Sequence, residues 1–215
     1  MSSRIYLVTG AAGFLGSNIC LQLLEKGEKV RALVLPNDKS VKYIPKEVEI
    51  CLGDLCDEKS LCDFFDVQEG MTSVVIHCAS MVTVDPAYSE KLMAVNVTGT
   101  RNIITKCLAH PECEKMVYVT GDMHGDIERL YDKEFRKLRR GDILIVCGDF
   151  GYIFDGSKSE KQIVNYFAKR KFITAFVEGT HDNLDKINRS RETVWKGGKV
   201  HRIKGNLLHL MRGQI

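Results

Sequence analysis

Two sets of residues in this chain have the types and spacing that chemistry needs. The first is Thr9-Gly10-Ala11-Ala12-Gly13-Phe14-Leu15-Gly16, which follows the apolar run Ile5–Val8. It opens an amphipathic pattern from Phe14 to Lys26, with Leu15, Ile19, Leu23 and Leu24 on one face. Between a strand and a helix, such a loop handles phosphate. Gly10 permits a tight turn, Gly13 lets backbone approach a pyrophosphate, and Gly16 lets the helix pack close on the strand. The helix N-terminus then offers unpaired N–H groups to the charge. The second set is Gly121-Asp122-Met123-His124-Gly125-Asp126, then Gly148-Asp149, then Gly179-Thr180-His181-Asp182, each at the end of a predicted strand. Asp122 and His124 are two apart, so an extended segment turns both to one side. A carboxylate oxygen with an imidazole nitrogen suits Mn, Fe or Zn. Asp149, at the next strand end, is placed to bridge two ions, and two ions clamp an attacking hydroxide and a leaving oxygen.

The elements that must position these residues alternate along the chain. Strands are expected at Ile5–Thr9, Lys29–Leu35, Val48–Cys51, Ser73–His77 and Lys115–Thr120, with helices at Phe14–Lys26, Glu58–Val67 and Ser89–Ala109. The alternation continues with a helix at Ile127–Leu138, a strand at Ile143–Cys147, a helix at Ser159–Lys169 and a strand at Phe172–Val177. The tail reads as a hairpin, Val200–Ile203 and Leu207–Leu210 about a turn at Gly205-Asn206. This pattern predicts an α/β fold: a doubly wound, mostly parallel, Rossmann-like sheet. The expected strand order is 3-2-1-4-5, with about two further parallel strands at the edge and a C-terminal hairpin.

Composition bounds the reading. The chain is 44% hydrophobic and 27% charged, as in globular proteins, and no apolar run approaches a membrane span. The run after Met1 is too short for a signal-peptide core, so the expected location is cytoplasmic. The eight cysteines are scattered and expected to be reduced; the spacing of Cys51, Cys56 and Cys62 fits no zinc pattern. Residues 1–119 carry 12 basic and 15 acidic side chains, whereas residues 120–215 carry 19 and 13. All four prolines and seven of the eight cysteines fall in the first part, so composition changes near residue 120. The basic run Lys133–Arg140 is read as the solvated face of a helix, because Ile127, Leu130, Tyr131, Phe135 and Leu138 form an apolar stripe. Neither nucleic acid nor membrane is an expected partner. His77 is read as structural; His110, His201 and His209 are read as surface or strand residues, not ligands.

The first set of motifs resembles the extended short-chain dehydrogenase/reductase family of epimerases, dehydratases and reductases. Three further segments follow in order: Gly53-Asp54-Leu55, Val75-Ile76-His77-Cys78-Ala79-Ser80 and Asn96-Val97-Thr98-Gly99-Thr100. The resemblance, over about residues 4–119, implies an NAD or NADP site. Gly10, Ala12, Gly13, Phe14, Leu15 and Gly16 would hold the pyrophosphate, Asp54 and Leu55 the adenine, and Cys78 and Ala79 would pass beside the cofactor. Asn96 would support the active site. Asp38 stands late for a ribose acid and Arg31 lies inside the second strand, so NAD and NADP are not separated. The family's Tyr-x-x-x-Lys is unmatched: Tyr131 is followed at that spacing by Phe135, Tyr152 by Gly156 and Tyr166 by Arg170.

The second set, over about residues 116–215, resembles the front half of the calcineurin-like metallophosphoesterases. That resemblance implies divalent metal on Asp122, His124, Asp149 and Thr180, which stands where the family has asparagine. It places His181 near the leaving group with Asp182 orienting it, and a phosphate ester as substrate. The family's later histidines are unmatched before Ile215. The expectation is therefore a chimera of a dinucleotide-binding half-domain (1–119) and an incomplete phosphoesterase segment (120–215), joined in or just after Met116–Gly121. Its expected role is dinucleotide binding without redox turnover. Weak metal-dependent phosphoesterase activity is the alternative.

Overall fold

Strands that read as unbroken apolar runs are buried on both faces, as parallel strands under helices must be. The computed structural model describes residues 3–83, 89–126, 128 and 135–213. The chain divides into two units, Met1–Val117 and Tyr118–Ile215.

The first unit holds β1 (Ser3–Thr9), β2 (Lys29–Val34), β3 (Glu49–Leu52), β4 (Met71–His77) and the start of β5 (Cys113–Thr120), in the order β3-β2-β1-β4-β5. β1 lies parallel to both β2 and β4, with Thr9 opposite Leu33 on one side and His77 on the other. The loop after β1 therefore leaves the sheet where its neighbours also end. Helix α1 (Phe14–Glu25) runs from that loop and stops at Lys26, with Gly27 following at φ 75°. The helix expected at Glu58–Val67 is two short pieces, a 3-10 turn Glu58–Leu61 and α2 (Cys62–Phe65). It stops early because the Arg31 guanidinium donates to the carbonyls of Asp63, Phe64 and Asp66, satisfying the helix end from β2. The long helix expected at Ser89–Ala109 is α3 (Glu90–Met93), a π-helical segment Ala94–Gly99 and α4 (Thr100–Ala109). Such wide turns recur at functional sites; this one carries Asn96.

The second unit holds β6 (Ile143–Cys147), β7 (Ile173–Val177), β8 (Arg191–Trp195), β9 (Gly198–Lys204) and β10 (Leu207–Leu210), in the order β6-β7-β10-β9-β8. β7 lies parallel between β6 and β10, β9 pairs antiparallel with β10, and β8 pairs antiparallel with β9. The expected hairpin is β9–β10, turning at Gly205 with φ 49°. Two elements were not expected from sequence. One is the short helix α6 (Leu184–Asn188), which follows α5 (Lys158–Ala168); the other is β8. The signal for β8 was present: Lys196 (φ 51°) and Gly197 (φ 92°) form a two-residue left-handed turn of the kind that joins hairpins. The core packs Phe150 against Phe176 at 4.4 Å between ring centres, Phe167 at 5.2 Å and Tyr152 at 4.9 Å. Most of the helix expected at Ile127–Leu138, including Tyr131, lies outside the described residues. What is described there includes a 3-10 turn Phe135–Lys137 and the buried Leu138. Among the described residues, no helix is long and apolar enough to cross a membrane.

Candidate functional site

In the first unit the strand ends enclose a cleft of about 560 Å³, lined by Gly10, Ala12, Gly13, Asp54, Leu55, Cys78 and Ala79 among others. Gly10 turns at φ 68°, and a Cβ there would lie 2.7 Å from the Ala79 backbone nitrogen. The turn and the segment after β4 therefore touch through backbone alone. Gly16 is buried where a Cβ would fall 2.2 Å from the Gly10 carbonyl oxygen, so the close packing expected against the strand is made against the turn that follows it. Gly13 caps α1 with extended backbone and no side-chain hydrogen bond, leaving the helix start to whatever enters the cleft. Phe14, Leu15, Gly16 and Asn96 do not line it. Phe14 is 91% exposed. Asn96 acts at one remove: its amide accepts from Met81 N at 2.7 Å and donates to Met81 O at 2.8 Å, clamping the strand exit beside the cleft.

Asp38 and Ser40 also line the cleft, and Asp38 accepts from Ser40 N at 2.8 Å. Asp54 is held by an Asx turn to Cys56 N at 2.8 Å. Beneath the cleft, His77 sits between the Thr9 hydroxyl at 2.7 Å and the Thr100 hydroxyl at 3.0 Å. Burial pushes its pKa down from 6.5 to about 4, so the ring is neutral and structural.

Of the tyrosines expected to be unmatched, Tyr152 and Tyr166 fall among the described residues and are engaged elsewhere in the fold. The buried Tyr152 hydroxyl donates to the Asp126 carbonyl, and the Tyr166 ring lies under the Arg170 guanidinium at 3.6 Å.

In the second unit the three motifs meet. Ligand atoms of His124, Asp149 and His181 all lie within 4.8 Å of one another. Asp149 Oδ2 is 3.1 Å from His181 Nδ1 and 3.9 Å from His124 Nε2, and Asp122 Oδ1 is 3.8 Å from the same His124 nitrogen. Three of the five non-glycine residues at positive φ among those described are Asp122 (48°), His124 (47°) and Asp149 (45°). Each such residue costs about 1–2 kcal/mol. Hydrogen bonds between the loops hold them there, His124 N to Asp149 O at 2.9 Å and Asp122 N to Gly148 O at 3.3 Å. A Cβ at position 179 would fall 2.1 Å from Asp149 Oδ1, so only glycine leaves that carboxylate its place. The Asp149 carboxyl is held below its usual range, first by the His181 backbone N–H and then by the His181 and His124 rings. Two imidazoles and a carboxylate are a donor set that fits a first-row divalent ion.

Thr180 and Asp182 take places that the motif spacing did not reveal. The Thr180 hydroxyl donates to Asp149 Oδ1 at 3.3 Å. Asp182 is buried, and its carboxylate accepts from Phe150 N (3.0 Å), Gly151 N (2.7 Å) and Gly179 N (2.9 Å). It braces two loops through their backbones and makes no hydrogen bond to the His181 ring among the described contacts. His201 and His209 are strand residues as expected, yet buried: their rings stack at 5.3 Å, and His209 Nε2 meets the buried Glu178 carboxylate at 2.7 Å.

Strand order, glycine turn and cleft define the first unit as a Rossmann-type α/β protein. Residues 7–127 match the 3-beta hydroxysteroid dehydrogenase/isomerase family, and the chain belongs to that family. Residues 115–210 match the calcineurin-like phosphoesterase family, so the two matches overlap on β5 and the loop after it. Sterol demethylase protein B of Methylococcus capsulatus is 37% identical over 98 residues, 46% of this chain and 29% of that protein. Cinnamoyl-CoA reductase 1 of Petunia hybrida is 35% identical over 111 residues, 48% of this chain and 31% of that protein. The chain thus spans about a third of the length of these relatives. A solved UDP-glucose 4-epimerase of Thermus thermophilus, in complex with NAD, shares the fold at 20% identity and TM-score 0.51, covering 92% of this chain and 69% of that one.

Proposed function

We propose that the first unit binds a nicotinamide dinucleotide, NAD or NADP, and transfers no hydride with residues of its own. The observation that carries this is the cleft lined by the Gly10–Gly13 backbone, with an uncapped helix start to receive a pyrophosphate. The NAD complex of the Thermus epimerase supports the same choice of ligand. Asp38 in the lining supplies a carboxylate for a ribose hydroxyl, and Arg31 is committed to the end of α2, so NAD is preferred to NADP. Gly10, Ala12, Gly13, Asp54, Leu55, Cys78 and Ala79 line the ligand; Gly16 and Asn96 position it. The absence of a Tyr-x-x-x-Lys pairing after Thr120 is the reason no turnover is expected. Isothermal titration with the four oxidised and reduced nucleotides tests the reading. Heat with NAD(H) exceeding that with NADP(H) is expected, and no heat with any at millimolar concentration overturns it.

A second reading rests on the His124–Asp149–His181 cluster. Residues 120–215 form a separate functional half that holds a divalent Mn, Fe or Zn ion through His124 and Asp149, with Asp122 and Thr180 beside it. A bound ion would polarise a phosphoryl oxygen. His181 and Asp182, assigned from the motif to the leaving group, divide in role: His181 faces the ion site and Asp182 braces it. Little hydrolysis of a phosphodiester is expected. Metal content after dialysis against Mn or Zn tests this half.

A further inference from the structure

We propose that the second unit's site takes one transition-metal dication, with His181 as a ligand through Nδ1 and Thr180 as the residue that holds Asp149, not as a ligand. The proposal rests on the metal reading above and deepens it. Its basis is the division of labour between the two oxygens of Asp149. Oδ1 accepts the His181 backbone N–H at 3.0 Å and the Thr180 hydroxyl at 3.3 Å, which occupies its two lone pairs. Oδ2 faces the two imidazoles, 3.1 Å from His181 Nδ1 and 3.9 Å from His124 Nε2. Bonds of about 2.1 Å to one tetrahedral ion put ligand atoms about 3.4 Å apart. The two spacings at Oδ2 bracket that value, so one ion beside Oδ2 would ask only small side-chain rotations of the two rings, His124 inward and His181 slightly outward.

A bridging Asp149 shared by two ions has less to work with, since Oδ1 is engaged and Thr180 turns its hydroxyl proton toward that oxygen. The donor set also selects the ion class. Two imidazole nitrogens and one carboxylate oxygen suit Zn, Mn, Fe or Co and not Mg or Ca, which prefer oxygen. His124 and His181 keep about half of their side-chain surface exposed, so the positions left open on the ion face solvent. Asp122, 78% exposed and 3.8 Å from His124 Nε2, sits at the rim.

The arrangement predicts a tautomer change. A carboxylate only accepts, and the Thr180 hydroxyl, 3.2 Å from the same nitrogen, turns its proton toward Asp149, so in the metal-free protein the His181 ring carries its proton on Nδ1 and offers it to the Thr180 and Asp149 oxygens. Ligation through Nδ1 moves that proton to Nε2. The test uses the whole, tag-free chain with 15N-labelled histidine rings, titrated with zinc and followed by ring-nitrogen NMR. In parallel, zinc per chain is measured by elemental analysis after equilibrium dialysis.

The expected result is one zinc per chain, with His181 passing from the Nδ1–H to the Nε2–H tautomer. His181→Ala is expected to weaken zinc binding about 100-fold and Thr180→Val about 10-fold, as for a ligand and for a residue that orients one. Two zinc ions per chain, or His181 keeping its Nδ1–H tautomer at saturation, overturns the proposal while leaving a metal site in place. No zinc bound at all overturns the metal reading itself. The NMR measurement on the unmutated chain decides the matter even if a variant fails to fold.

Discussion

The two units each place their candidate site at the ends of parallel strands, but they build it from opposite materials. In the first, the position at φ 68° is Gly10, and the contact it makes with Ala79 admits no side chain. In the second, the positions near φ 45–48° are Asp122, His124 and Asp149, whose side chains are the site. A loop that presents backbone N–H groups is free of strain when glycine occupies its left-handed positions. A loop that must present carboxylate and imidazole from the same backbone geometry keeps the side chain and accepts the strain. Positive φ occurs at both sites, and the residue type there distinguishes backbone recognition from side-chain ligation.

Substitutions at these positions should therefore move stability in opposite directions. Gly10→Ala adds a Cβ into the Ala79 backbone at a left-handed position, and is expected to cost about 3 kcal/mol and abolish the heat of nucleotide binding. Gly27→Ala, also at positive φ (75°) but with nothing within 4 Å, should cost only about 1 kcal/mol. Alkylation of the buried thiols Cys20, Cys107 and Cys113 across a urea series reads the first unit, which contains all three. Equal costs for the two glycines would break the argument from close approach.

Acid should expose a second contrast. His77 is neutral and buried, with its pKa lowered from 6.5 to about 4. The unfolded chain therefore binds the extra proton first. Stability is whole above pH 6.5 and falls as pH drops toward about 4, by about 3 kcal/mol in all. Urea unfolding followed by circular dichroism at pH 6.5 and at about pH 4.5 measures the loss. The only tryptophan, Trp195, lies in the second unit and reports that unit separately. His77→Gln should flatten the dichroism slope and leave the Trp195 transition in place. A slope unchanged by His77→Gln would reassign the acid sensitivity to other groups.

The smallest effect expected is a gain. Asp122→Gly relieves a left-handed aspartate whose side chain is mostly exposed, and should stabilise the second unit by about 1 kcal/mol while weakening zinc binding. A loss of stability would mean that the Asp122 side chain supports its loop and that the comparison with Gly10 is drawn at the wrong residue.

The glycine turn, the strand–helix alternation and the meeting of three strand-end motifs were legible in the sequence for a local reason. A turn needs glycine within a few residues, apolar periodicity declares strand or helix within a window, and a strand end in a parallel sheet lies beside other strand ends. Hence Gly10, Gly13 and Gly16 stand where their spacing put them, and His124, Asp149 and His181 converge. Roles set by partners far along the chain were not legible. Asp182 braces Phe150 and Gly151 from 32 and 31 residues away, and Arg31 closes the end of α2 from a neighbouring strand. Asn96 grips Met81 from a π-helical segment that periodicity reads as ordinary helix. A sequence states which groups are available to donate and accept. Which oxygen of Asp149 meets a backbone N–H and which meets an imidazole is decided only when packing sets distances to within an ångström, and that is a property of the tertiary structure.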